Sequence, residues 1–190
     1  MNVEPLSLKW KDAWLDLFRR AESPCFCRFW HFDGDKNAWL DRCANHPEEN
    51  AREAQFDHAL VAIEEDRVLG HMMIAPRASL PKLKRLPVVR SLVLGEDEGV
   101  WSIGCMLVDP SARHRGVARA LVEASPAYVA SRGGRLVEAY PRHPIDRLRD
   151  DEVWMGPESL FHACGFSTFH REGTYMVVRR NTDSTSSRSG

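Results

Sequence analysis

The sequence predicts an α/β domain, and three observations point to it. Apolar residues at helical spacing recur between short, nearly continuous apolar runs of strand length. Over residues 100–141 the order is strand, helix, strand, which requires a crossover between parallel strands. The chain has 190 residues, 43% of them hydrophobic, enough to bury one core and short enough to favour one domain.

Taken in order, Leu8, Trp10, Ala13, Trp14, Leu17 and Phe18 fall mostly at three- and four-residue steps and predict an amphipathic helix over 8–18 that packs on a sheet. Aromatic, irregular sequence follows from Pro24 to Asp35. Shorter helical pieces are expected at 36–43 and 48–56, separated by Pro47. Two apolar runs around Glu65 and Asp66 predict a hairpin with strands near 59–64 and 67–75. Residues 77–98, with two prolines, a basic cluster and an acidic turn, read as a connection bordering a cleft. A buried strand from Val100, a helix ending at Gly133 and Gly134, and a strand at 135–141 come next. Pro157 and Gly165 punctuate a short helix, and 174–180 reads as a last strand. The single domain is expected to span 1–180, with 181–190 an apolar-free, disordered tail.

Charge and composition exclude several function classes. A formal net charge of −1 offers no general attraction to nucleic acid or to an anionic membrane. The first 18 residues mix acids and lysines among the apolar ones, unlike a secretory or spanning segment. Five cysteines, an odd count in a chain of this size, fit a reducing cytoplasm better than a disulfide framework. Cys25, Cys27, His31, Cys43 and His46 match no standard zinc spacing, so no metal is expected there. Phe26, Phe29, Trp30, Phe32 and Trp39 are expected to cover one end of the sheet or to line a small-molecule pocket.

The most informative stretch is Asp109 to Ala124. An apolar strand stops at Asp109-Pro110, three arginines gather around Gly116, and helical periodicity then resumes. A turn between a strand end and a helix N-terminus presents unpaired backbone N–H groups and the positive end of the helix dipole, which favours an anion such as phosphate. The spacing fits neither the Walker A loop nor the dinucleotide fingerprint. Arg113-x-x-Gly116-x-Ala118 does resemble the Gln/Arg-x-x-Gly-x-Gly/Ala signature of the GCN5-related N-acetyltransferases, the GNAT superfamily. The stretch from Leu160 through Gly165-Phe166 to Arg180 is similar to that family's terminal helix, Gly-Phe turn and final strand.

The resemblance implies a GNAT-like fold, a mixed, splayed β-sheet flanked by helices on both faces, with acetyl-CoA as co-substrate. It implies that Arg113, His114, Arg115, Gly116, Val117, Ala118 and Arg119 hold the cofactor's pyrophosphate, and that Met106, Leu107 and Val108 meet its pantetheine arm. The Met106 N–H would then face the thioester carbonyl, where a donor stabilises developing oxyanion charge. The implied activity is direct acetyl transfer to a primary amine of a small molecule, in the cytoplasm, by a monomer or homodimer.

Two family positions differ. The proton-donating tyrosine four residues before the Gly-Phe pair is Phe161 here, and Trp154 stands near the place of a usual asparagine. Another residue serves, water serves, or the protein is a CoA-binding module without turnover. Strand alternation puts Leu136, Glu138 and Tyr140 on one face, which brings a carboxylate and a phenol together as candidate base and acid. His162 and Cys164 rank below them as packing residues.

Overall fold

The computed structural model describes residues 1–90, 92, 94–142 and 154–183. The chain runs β1 (Asn2–Pro5), α1 (Lys11–Arg20), α2 (Lys36–Asn45), α3 (Pro47–Arg52), β2 (Ala59–Glu64), β3 (Arg67–Pro76) and α4 (Pro87–Arg90). It continues with β4 (Val100–Val108), α5 (Val117–Ala130), β5 (Leu136–Ala139), α6 (Glu158–Ala163), β6 (Ser167–Glu172) and β7 (Tyr175–Asn181). Seven strands form one sheet in the order β1-β2-β3-β4-β5-β7-β6. Among the described strands only β4 and β5 pair in parallel, as the crossover through α5 requires.

Each sheet face buries its own core. Val117, Leu121, Val122 and Val129 of α5 pack on Leu60, Met72, Ile74, Ile103 and Val137, and Phe161 joins them from α6. On the other face Trp14, Leu17 and Phe18 of α1 pack with Val61, Ile63, Val68, Met73 and Val177. Val137 and Ala139 fall in the first core and Tyr140 in the second, the period-two alternation of a strand.

The hairpin, the crossover and the last strand stand where the sequence predicts them. The first helix begins later, at Lys11, because residues 8–10 form a 3₁₀ turn that leaves Leu8 exposed. The piece expected at 48–56 is the shorter Pro47–Arg52. Strands β1 and β6 lie at the two sheet edges and were not expected, since their burial is too partial to leave an apolar pattern. Residues 143–153, with the acidic run 150–152, and residues 184–190 of the expected tail lie outside the described residues.

His71 of β3 is buried between α1 and the sheet, where its Nδ1 accepts the Trp14 indole N–H at 3.1 Å. Burial pushes its pKa down from 6.5 to about 3, so the folded ring stays neutral. An unfolded His71 takes up a proton below pH 6.5 that the folded one refuses, so stability is full above 6.5 and falls as pH drops towards 3. Denaturant titrations of wild type between pH 6.5 and 5 should therefore show falling stability. His71→Gln, which keeps an acceptor for Trp14, should show a shallower slope; equal slopes would refute this origin.

Candidate functional site

The site begins where β4 leaves β5. Pairing runs from Val100 with Leu136 to Ile103 with Ala139 and then stops, although β4 continues to Val108. On its other side β4 stays paired with β3, but the register slips between Met73–Cys105 and Ile74–Ile103, so Gly104 is one residue extra. That bulge bends the strand away from β5. Glycine is required there because the Trp30 indole N–H donates to the Gly104 carbonyl at 2.8 Å, and a Cβ at 104 would lie 2.6 Å from Trp30 Nε1.

Past the bulge, the Met106 N–H faces the cleft side and donates to the Trp154 carbonyl at 2.7 Å. Leu107 and Val108 complete the free stretch of β4, both half-buried. Asp109 then ends the strand. Its carboxylate accepts from the Ser111 backbone N–H (3.0 Å), the Ser111 hydroxyl (2.7 Å), Arg20 Nε (2.7 Å) and Arg67 Nη2 (2.9 Å). Burial alone would raise the Asp109 pKa, but the Ser111, Arg20 and Arg67 donors outweigh it and hold the carboxyl far below its usual range. The turn that follows is thus anchored to α1 and β3 by charge.

That turn is the predicted basic one. His114 and Gly116 both have left-handed backbone, with φ of 60° and 83°, and Gly116 caps the N-terminus of the 14-residue α5. The helix makes its first i→i−4 bond from Ala120 to Gly116 O. The N–H groups of Val117, Ala118 and Arg119 precede that bond and have no intrahelical acceptor. Arg113, His114, Arg115 and Gly116 are exposed, as is Arg119, while Val117 is buried and Ala118 half-buried. Arg115 pairs with Glu64 at 2.9 Å and Arg119 with Glu123 at 2.8 Å, both exposed pairs of the kind worth little in water.

Glu138 and Tyr140 do come together, in a setting the sequence did not disclose. Glu138 is fully buried and clamped between Arg77 Nη1 (3.1 Å) and Arg179 Nε (2.7 Å). Tyr140 Oη donates to Glu138 Oε2 at 2.8 Å and lies 2.8 Å from Ser102 Oγ. Burial and the Glu138 charge push the phenol pKa well above its usual value, so the hydroxyl keeps its proton. Two guanidiniums thus engage the one buried carboxylate of Glu138. Tyr140 stands one residue past the last β4–β5 pair, at the throat of the cleft. Arg77 and Arg179 are functional neighbours that sequence reading missed, since nothing local marks an arginine 61 or 41 residues away as a partner. Of the lower-ranked residues, His162 is engaged with the Phe166 carbonyl (2.9 Å) and Glu158, and Cys164 is buried beside α5.

On the α1 face of the cleft lies a cavity of about 370 Å³ walled by Phe29, Trp30, Trp39 and Trp154, with Cys105 and Met106 at its floor. The cysteine pattern has an outcome the sequence reading did not anticipate. Cys27 and Cys105 are joined by a disulfide across 78 residues, while Cys25, Cys43 and Cys164 are free. A ring nitrogen of His71 lies within 4.8 Å of both sulfurs.

A cross-link closing so long a loop restricts the unfolded chain and is worth about 4 kcal/mol. Cys27→Ser should therefore lower the urea midpoint under oxidising conditions, and the gap to wild type should close in excess reductant. A gap unaffected by reductant would mean that the bond does not form in solution.

A sequence model of the acetyltransferase (GNAT) family matches residues 10–147. No curated protein sequence matches the chain. Among solved structures, the aminoglycoside 6'-N-acetyltransferase from Enterococcus faecium superposes with a TM-score of 0.58 at 14% identity, covering 96% of this chain and 97% of that one. The GNAT domain of PAT from S. lividans gives 0.55 at 15% identity, covering 94% and 89%. The PaiA N-acetyltransferase from Thermoplasma acidophilum in complex with coenzyme A gives 0.51 at 10%, covering 95% and 98%. At these identities the likeness is one of fold.

Proposed function

The chain belongs to the acetyltransferase (GNAT) family, and from that premise we propose that it transfers the acetyl group of acetyl-CoA to a primary amine of a small molecule. The observation that carries the reading is the course of β4, which leaves β5 after Ile103 and leads through Met106 to the left-handed turn at Gly116. One strand thereby connects a backbone donor in the cleft to an anion-binding helix end.

Acetyl-CoA supplies the thioester whose carbonyl carbon the amine attacks. The backbone N–H groups of Arg115 to Arg119 bind the pyrophosphate, and Arg113, Arg115 and Arg119 add charge. The exposed pairs of Arg115 with Glu64 and Arg119 with Glu123 exchange for phosphate at small cost. Leu107 and Val108 meet the pantetheine arm along the unpaired edge of β4. Met106 N–H, now on the Trp154 carbonyl, transfers its bond to the thioester oxygen and stabilises the negative charge that gathers there.

The attacking amine must be neutral, because an ammonium has no free lone pair. Tyr140, still protonated at neutral pH and placed at the cleft throat, donates to the departing thiolate and regains, through water, the proton that the amine nitrogen loses on attack. Glu138 is the positioning residue: held by Arg77 and Arg179, it accepts from the phenol and fixes its orientation. Within this reading the protein works in the cytoplasm as a monomer or homodimer. Its near-neutral net charge supports neither a nucleic-acid nor a membrane partner, and no helix among the described residues is long and apolar enough to cross a membrane.

A CoA-binding module without turnover is the competing reading. Its support is Phe161, which is fully buried and has no proton to give.

Two variants test the proposal. At Gly116 an added Cβ meets nothing within 4 Å, so Gly116→Glu should retain the fold, with only about 1 kcal/mol of left-handed strain. Calorimetry should show it losing acetyl-CoA binding; unchanged affinity would remove the turn from the site. Tyr140→Phe should lower kcat roughly ten- to a hundredfold with acetyl-CoA affinity intact, as expected for an acid that acts only in the transition state. Unchanged turnover would leave water as the proton source. Tight binding with no turnover of any amine by wild type would establish the module reading instead.

A further inference from the structure

The cavity beside Met106 carries information about the acceptor. We propose that the acceptor is a monoamine with a flat aromatic body, which lies against Phe29, Trp30, Trp39 and Trp154 and presents its nitrogen towards Met106. This rests on the acetyltransferase reading above and goes beyond it by naming the substrate class.

The first argument is shape and surface. Phe29 meets Trp30, Trp39 and Trp154 at centroid distances of 5.3–5.6 Å and interplanar angles of 70–75°, and Trp30 meets Trp154 at 45°. None of these pairs is stacked in parallel, so the rings form an angular box rather than a closed pile. The volume of about 370 Å³ is at the small end of ligand pockets. It suits one or two fused rings. Offset or edge-on contact with such a body adds to the gain from removing apolar area from water.

The second argument is charge. None of the ten residues around the cavity among the described residues bears a carboxylate. A fixed positive charge already stands at this wall: Lys82 Nζ sits 4.9 Å from the Phe29 ring centroid, 4.6 Å from Phe32 and 5.7 Å from Trp39, with Asp33 and Asp35 near enough to act on it. The cation-attracting capacity of these rings is therefore already in use. A polyammonium acceptor would lose its hydration here without a counter-charge and next to a like charge. A monoamine loses far less. Apolar surroundings also disfavour its ammonium form, which yields the neutral nucleophile that the reaction needs.

The experiment compares kcat/KM of the full chain with acetyl-CoA for tryptamine and phenethylamine, for hexylamine, and for spermidine and kanamycin. The aromatic monoamines should exceed both polycations and the alkyl amine by at least about tenfold. Trp39 is half-buried on α2 and its loss should not unfold the protein. Trp39→Ala should raise the KM for tryptamine about tenfold, Trp39→Phe should restore most of it, and acetyl-CoA affinity should stay unchanged in both. Preference for a polycation or equal rates with hexylamine would overturn the proposal, as would a Trp39→Ala variant with wild-type KM. Turnover of no amine at all, or loss of acetyl-CoA binding by wild type, would instead sink the acetyltransferase reading on which it rests.

Discussion

A backbone N–H withdrawn from a sheet has to find another acceptor, and the functional architecture of this chain is organised around that demand. The bulge at Gly104 separates β4 from β5 and leaves β4 with one unpaired edge in the interior. Met106 answers by bonding to Trp154, which draws the segment before α6 into the cleft. The same bulge exposes the Gly104 carbonyl to Trp30, and through it the aromatic loop is seated beside Trp154. Cleft, Trp154 segment and aromatic wall are therefore consequences of one inserted residue.

A splayed sheet would be weak without compensation at its base. Below the last β4–β5 pair, Glu138 gathers Arg77 from the end of β3 and Arg179 from β7, and Arg77 also holds the Gly95 and Glu96 carbonyls and Asp97. Burying a carboxylate is costly, and two guanidiniums with further acceptors of their own offset that cost. The clamp joins both halves of the sheet at the depth where their strands begin to separate. A fixed throat lets the cleft above it be open.

Legibility in the sequence followed the range of the interaction. The β2–β3 hairpin, α5 and the Gly116 turn were readable because a two-residue turn, helical periodicity and a glycine between arginines are local signals. Glu138 and Tyr140 were readable as neighbours because strand alternation is also local. The arginine clamp, the Trp154–Met106 bond and the Cys27–Cys105 disulfide were not, since their partners are tens of residues apart and no spacing rule links them. Leu8 misled in the other direction: it fits the helical period but lies on a 3₁₀ turn in solvent, because β1 already covers that edge.

The strand order also bears on how the chain assembles. Strands β1 to β4 are sequential neighbours joined by antiparallel pairing, and all of their residues precede β5 in the chain. β5 fits only between β4, reached across α5, and β7, some forty residues later, and its pairing has to await both. Loop-closure entropy makes such distant contacts slow to form. The cleft is therefore a late-maturing part of the domain, and a nascent chain that lacks its last strand has the Gly116 turn but no throat beneath the cleft.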